Sequence, residues 1–176
     1  MKNLIIALLS LFLMQNISYA KDAVQFAFPN EGWHSVASPD KVQSKKCYVP
    51  SNQTTENHTE MLVFYERVLK NKGIGPMIIL HKQLGKDRTN YADITPEYIY
   101  HTPEDAMVTW CSRTKNTCAI TRALQGENGV IVVQYINKAP HYSQNMFGQW
   151  SNILSTVKLY KPAVDKVTSP QRLIEL

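Results

Sequence analysis

Met107-Val-Thr-Trp-Cys-Ser-Arg-Thr-Lys-Asn-Thr-Cys-Ala-Ile-Thr-Arg122 is the stretch that decides the fold. Two runs rich in β-branched and aromatic residues, Met107–Trp110 and Ala119–Arg122, flank a polar segment, the pattern of two strands joined by a turn. If the turn closes around Arg113–Asn116, Cys111 and Cys118 face each other across the ladder. Directly opposed strand residues hold their Cβ atoms about 4.5–5.5 Å apart, close enough to bridge after modest adjustment. The chain has 3 Cys, at positions 47, 111 and 118, so one thiol is left over whichever pair bridges. The hairpin favours Cys111–Cys118 over the pairings that use Cys47, and closing so short a loop stabilises by about 2–3 kcal/mol on the chain-entropy model.

Downstream, the strand pattern continues. Met107–Arg113, Thr117–Gln125 and Val130–Asn137 read as three strands joined by short polar turns, the second turn carrying Asn128-Gly129, a strong hairpin dipeptide. After Pro140, Ser143 is placed to cap a helix whose apolar residues Met146, Phe147, Trp150, Ile153, Leu154 and Val157 form one stripe. That makes an amphipathic C-terminal helix packing on the core, passing into a short strand near Val157–Tyr160. Residues 161–176, with Pro162 and Pro170, read as a C-terminal tail. Its Leu173, Ile174 and Leu176 fit a frayed terminus better than a docking peptide.

Upstream, Ala23–Phe28 alternates as a strand, and Glu31-Gly32-Trp33 is a turn that delivers a tryptophan. Lys41–Val49 is a second strand, broken by Pro50. Ser51–Thr59 is a polar loop with Asn-x-Thr sequons at Asn52 and Asn57. Glu60–Lys70 is apolar on both faces, which fits a central strand; a helix is also allowed, but β-branched and aromatic enrichment favours the strand. Residues 75–88 fit either a helix or a strand. Thr95-Pro96-Glu97 and Thr102-Pro103-Glu104 each have the form of a helix start, with an N-cap, a Pro and an acid, so one or two short helices are expected between Thr95 and Ala106. The fold class is therefore α+β, an antiparallel β-sheet with flanking helices.

Residues 1–20 have the form of a signal peptide: Lys2, an apolar run from Leu4 to Met14, and Ser18-Tyr19-Ala20 as the cleavage pattern. The run reaches about 17 Å as a helix, roughly half a hydrocarbon core, so no membrane span is expected. Cleavage after Ala20 leaves a single α+β domain over 21–160 followed by the 161–176 tail, located in the periplasm or outside the cell. The net charge of +5 falls by one with Lys2, and the remaining basic residues are scattered, which is a solvated surface rather than a nucleic-acid stripe.

Motif searching yields no catalytic signature: no nucleophile elbow, no HExxH, no CxxC, no phosphate-binding glycine loop. The histidines His34, His58, His81, His101 and His141 are too widely spaced to define a metal site, and no cofactor is implied. Glu104-Asp105 point apart and are read as helix-dipole capping. Trp33-His34 is read as packing. Cys47, beside Lys45 and Lys46, is either a buried small hydrophobe or a reactive thiol.

A first strand leading through Phe28-Pro29 and Gly32-Trp33, the middle strand Met61–Lys70, a Thr-Pro-Glu start, a β-meander and the closing Phe147-Gly-Gln-Trp-Ser-Asn-Ile-Leu-Ser-Thr-Val-Lys-Leu159 together resemble the PsbP/Mog1-like α/β/α sandwich family. The resemblance implies an antiparallel sheet with helices on its faces and a non-enzymatic accessory or binding role, and it carries over no site residues. The functional expectation is an exported non-catalytic binding or accessory protein with an unidentified protein or small-molecule partner and no specific nucleic acid. The alternatives are a small exported hydrolase or thiol enzyme using Cys47 or a histidine, and an electrostatic binder of anionic polymers or lipid headgroups.

Overall fold

In a computed structural model of the chain, residues 23–26, 32–38, 45–68, 74–127, 129–138, 144–159 and 172–175 are described. Residues 1–20, expected to be a signal peptide, His141, Ser143, Asn128, Phe28-Pro29 and most of the 161–176 segment lie outside them. In chain order the elements are β1 (Ala23–Phe26), β2 (Trp33–Val36), β3 (Lys45–Pro50), β4 (Glu60–Val68), α1 (Pro76–Asn90), β5 (Glu97–His101), β6 (Asp105–Ser112), β7 (Thr117–Gln125), β8 (Gly129–Asn137), α2 (Gln144–Ser155), β9 (Lys158–Leu159) and β10 (Arg172–Glu175). Seven strands form one sheet in the order β2-β3-β4-β8-β7-β6-β5, and three form a second in the order β10-β1-β9. Every pairing is antiparallel.

The pattern of each strand follows its place in the sheet. β4, β7 and β8 are central and buried on both faces, which is why their apolar residues run together instead of alternating. β5 lies at the edge and alternates exposed and half-buried positions. On one face α1 packs Ile79, Leu80 and Leu84 against Cys47, Val63, Val108, Ala123 and Val132. On the other, Val24 and Phe26 of β1 and Trp150 and Leu154 of α2 cover Leu62, Phe64, Met107, Ile120, Val133 and Tyr135. The Trp150 ring stacks on Tyr135 at 3.9 Å and meets Trp33 edge-on at 5.6 Å. Trp33 is thus a core residue, while its neighbour His34 is exposed.

Several local expectations are corrected. The 75–88 ambiguity resolves as helix: Pro76 sits in the first turn, and the buried positions Pro76, Ile79, Leu80, Leu84 and Asp87 recur at helical spacing. No helix forms between Thr95 and Ala106. Glu97–His101 is a strand paired with β6, and Thr102-Pro103-Glu104 is the turn between them. There Asp105 N donates to Thr102 Oγ1 at 3.0 Å and Thr102 N donates to the Asp105 carbonyl at 2.7 Å. A threonine accepting from the amide three residues on serves a helix cap and a tight turn equally well, so sheet pairing decided the outcome. Trp33 does not merely follow a turn but opens β2, after Gly32 at a φ of 121°. Arg172–Glu175, read as part of a tail, pair with β1.

Asp105 is no helix cap. Its carboxylate takes Arg122 Nε at 3.0 Å and Nη2 at 2.7 Å, while Arg122 Nη1 donates to the carbonyls of Leu154 and Val157 at 2.6 and 2.9 Å. Arg122 therefore closes the C-terminal end of α2 and fixes that helix to the sheet.

Candidate functional site

Three turns of α1 direct Ile79, Leu80 and Leu84 into the core, and the next inward position is Asp87. The side chain is only 7% exposed. Its Oδ1 accepts from Gln83 Nε2 at 2.8 Å, and its Oδ2 accepts from Trp110 Nε1 at 2.9 Å and Gln134 Nε2 at 3.2 Å. Gln134 also donates to Thr121 Oγ1 at 3.0 Å, and Tyr65 OH donates to Gln83 Oε1 at 2.6 Å. The Tyr91 ring covers Trp110 at 4.9 Å. Burial raises the Asp87 carboxyl above its ordinary value, opposed by hydrogen bonds from Gln83, Trp110 and Gln134 and by the charge of Lys45. Beside this network lies a cavity of about 370 Å³, lined by Lys45, Tyr65, Arg67, Lys86, Asn90 and Gln134 among others. The Arg67 guanidinium stands 5.5 Å from the Tyr65 ring centroid. The chemistry on offer is the hydrogen-bonded network around Asp87 beside the cations Lys45, Arg67 and Lys86 and the half-buried carboxylate of Glu66.

A second recess, of about 650 Å³, lies where β6 runs past the start of β5 and is lined by Asp93, Thr95, Glu97, Cys111, Arg113 and Phe147 among others. Asp93 Oδ1 accepts from Ser112 Oγ at 2.6 Å and its Oδ2 from Thr114 N at 3.0 Å. The Ser112 bond and then the Thr114 backbone bond lower its carboxyl to about 2. A carboxyl held below its unfolded value of 3.8 contributes stability above that value and loses it as pH falls through about 2. Asp93→Asn is therefore expected to lower stability above this window and to flatten the acid limb within it. Denaturant titrations at stepped pH check this, and an unchanged acid limb would refute it.

Cys111 and Cys118 are directly opposed in the β6–β7 register and are bridged. Cys47 takes no part in a disulfide and is wholly buried, on the α1 side of the sheet between Val36 and Val63 in register. The described histidines are not brought together as a group. His34 is on β2 and His58 in the 51–59 loop, its Nδ1 2.8 Å from the Thr55 carbonyl. His81 and His101 flank Tyr98, whose OH lies 3.3 Å from His81 Nε2 and whose ring is 6.4 Å from that of His101. Among the described residues no group of three His, Cys, Asp or Glu could hold a metal ion, and no helix is long and apolar enough to cross a membrane.

Asp87, Trp110 and Gln134 belong to no motif in the sequence. The signals were present: Asp87 continues the spacing of the buried stripe of α1, and Gln134 interrupts Val130-Ile-Val-Val133 in a strand otherwise apolar to Ile136. A polar residue in phase with a buried face needs a partner, but the sequence does not show which partner topology supplies.

No family model and no curated protein matches the chain. Two solved structures are similar in the arrangement of the chain. One is the Ran-binding protein Mog1p of Saccharomyces cerevisiae, 13% identical, with 73% of this chain and 77% of that chain covered at a TM-score of 0.42. The other is a point mutant of protein Mog1, 11% identical, with 77% and 90% covered at a TM-score of 0.42. These are resemblances of fold, and what the site here can do follows from its own residues.

Proposed function

We propose that the mature chain is an exported, non-catalytic binding or accessory module, and that the cavity beside α1 takes a small ligand bearing an anionic group. Export is supported by the order of Lys2, the Leu4–Met14 run and Ser18-Tyr19-Ala20. The binding reading is carried by one observation: the polar floor around Asp87, whose own hydrogen bonds are complete, lines a cavity that presents the cations Lys45, Arg67 and Lys86 against the carboxylates of Glu66 and Asp87. Such a floor is preorganised, so a ligand meets fixed dipoles and cations without reordering side chains first. The same completeness speaks against a general base at Asp87, whose oxygens are engaged by three donors. Complete burial of Cys47 keeps its sulfur from solvent, which removes the support for thiol catalysis.

The test is a titration with inorganic phosphate, acetate and succinate, followed by the Trp110 indole N–H resonance. A saturable shift is expected, weakened by about tenfold or more in Arg67→Glu and Lys86→Glu and reduced by salt. No shift with any of these anions, or a shift indifferent to both substitutions, would overturn the proposal. Retention on heparin far above physiological salt, with no response at Trp110, would favour an electrostatic polymer binder instead.

A further inference from the structure

We infer that the Cys111–Cys118 bridge is a site of thiol–disulfide exchange, entered by an incoming thiolate at the sulfur of Cys111. The two half-cystines differ sharply in access: Cys111 is exposed, whereas Cys118 is 7% exposed. Cys111 also lines the recess of about 650 Å³ together with Arg113 and Phe147, so a thiol-bearing molecule has room to approach the bridge from the Cys111 side. Exposed disulfides are the exchangeable ones, and attack falls on the sulfur that can be reached.

The surrounding fold tolerates opening of the bridge. β6 and β7 pair over their full length, Thr109 Oγ1 donates to the Ala119 carbonyl at 3.0 Å, and Asp93 clamps the turn through Ser112 and Thr114. The closed loop is short, with a sequence separation of 7, so opening the bridge forfeits only the chain-entropy stabilisation of a short loop, less than a bridge closing a long loop would. Nor does the third cysteine interfere. Strand alternation puts Cys47 on the α1 face and Cys111 and Cys118 on the opposite face.

The step balances as follows. A thiolate R–S⁻ attacks Cys111 Sγ, the Cys111–Cys118 bond breaks, and R–S–S–Cys111 forms while Cys118 leaves as a thiolate and takes up a proton. A second thiol of the same dithiol, or of another molecule, attacks the mixed disulfide and releases Cys111. The bridge gains two electrons and the attacking pair is oxidised to R–S–S–R. Among the described residues of the recess, Asp93 and Glu97 outnumber the cation Arg113, so a neutral thiol is favoured over an anionic one.

The experiment treats the folded mature protein with dithiothreitol or glutathione in native buffer, quenches with an alkylating reagent and locates the label by mass spectrometry. The expected result is labelling of Cys111 and Cys118 with Cys47 unlabelled until denaturant is added, faster with dithiothreitol than with glutathione at equal thiolate concentration. In the single variants, glutathione disulfide should modify Cys111 in Cys118→Ala at least about tenfold faster than Cys118 in Cys111→Ala. Reduction that requires denaturant, read on the unsubstituted protein, would overturn the inference whatever the variants do. Equal reactivity of the two single thiols in folded variants would overturn its directionality. Neither result depends on whether the cavity beside α1 binds an anion.

Discussion

Arg122→Met is expected to lower stability by about 3–5 kcal/mol, read as a fall in denaturant midpoint with the slope unchanged. Methionine keeps much of the apolar volume, so the loss is one of charge and donors. Arg122 is 7% exposed and meets Asp105 through two parallel N–H bonds, the strongest form of carboxylate contact. Its third nitrogen serves the carbonyls of Leu154 and Val157. Removing it leaves Asp105 with the Tyr100 hydroxyl, 3.2 Å from each carboxylate oxygen, and strips two carbonyls at the end of α2. The Tyr100 hydroxyl is itself pushed up to about 12, chiefly by burial, so it remains a neutral donor through the working range. Because the Asp105 side chain keeps 26% exposure, water screens part of the unpaired charge, and the lower half of the range is favoured. Asp105→Leu in the Arg122→Met background should recover part of the loss by removing that charge. The carbonyls still lack the guanidinium donor, the Leu154 carbonyl keeping only the Val157 N–H at 3.2 Å, so recovery is incomplete. A loss below about 1 kcal/mol would mean that the pair acts as a surface salt bridge and that packing alone holds α2.

How much of this was legible in the chain depended on whether a signal was local. The hairpin between Met107 and Arg122 was, because turn composition and β-rich flanks lie within sixteen residues of each other, and the same holds for the apolar stripe of α2. The helix–strand ambiguity at 75–88 arose because Met77-Ile-Ile-Leu80 is a continuous apolar run, which has no period of its own; the helix is shown only by carrying the count on to Leu84 and Asp87. The Thr-Pro-Glu pairs misled for another reason. Their hydrogen-bonding chemistry is shared by caps and turns, and the tyrosines at 98 and 100 settle the matter only once β6 is beside them. The strand Arg172–Glu175 was illegible because its pairing partner, β1, lies at the other end of the chain. Of the candidate site, Cys111 and Cys118 were visible and the Asp87 network was not: its members Tyr65, Gln83, Asp87, Trp110 and Gln134 come from four elements.

Asp87→Ala is expected to destabilise by about 3–4 kcal/mol, since it leaves buried donors on Trp110, Gln134 and Gln83 without an acceptor. Asp87→Asn separates acceptor geometry from charge. An asparagine can turn its oxygen to Trp110 and Gln134, which presents its NH₂ group to Gln83. The Gln83 amide then flips to offer its oxygen, and Tyr65 OH changes from donor to acceptor, so one substitution reverses a relay of hydrogen bonds instead of breaking it. The expected loss is about 1 kcal/mol in acid, and it shrinks as pH rises. The sign follows from the raised carboxyl: between 3.8 and the higher folded value the native state holds a proton that the unfolded chain has released. Stability of the unsubstituted protein therefore falls as pH climbs through that window, whereas asparagine does not titrate. Paired denaturant curves stepped upward from pH 3 should show the two proteins converging, with the Trp110 indole N–H still protected from exchange in Asp87→Asn and exposed to it in Asp87→Ala. A gap that widens with pH would show that Asp87 is held in its charged form by Lys45 and its donors, with burial the lesser influence.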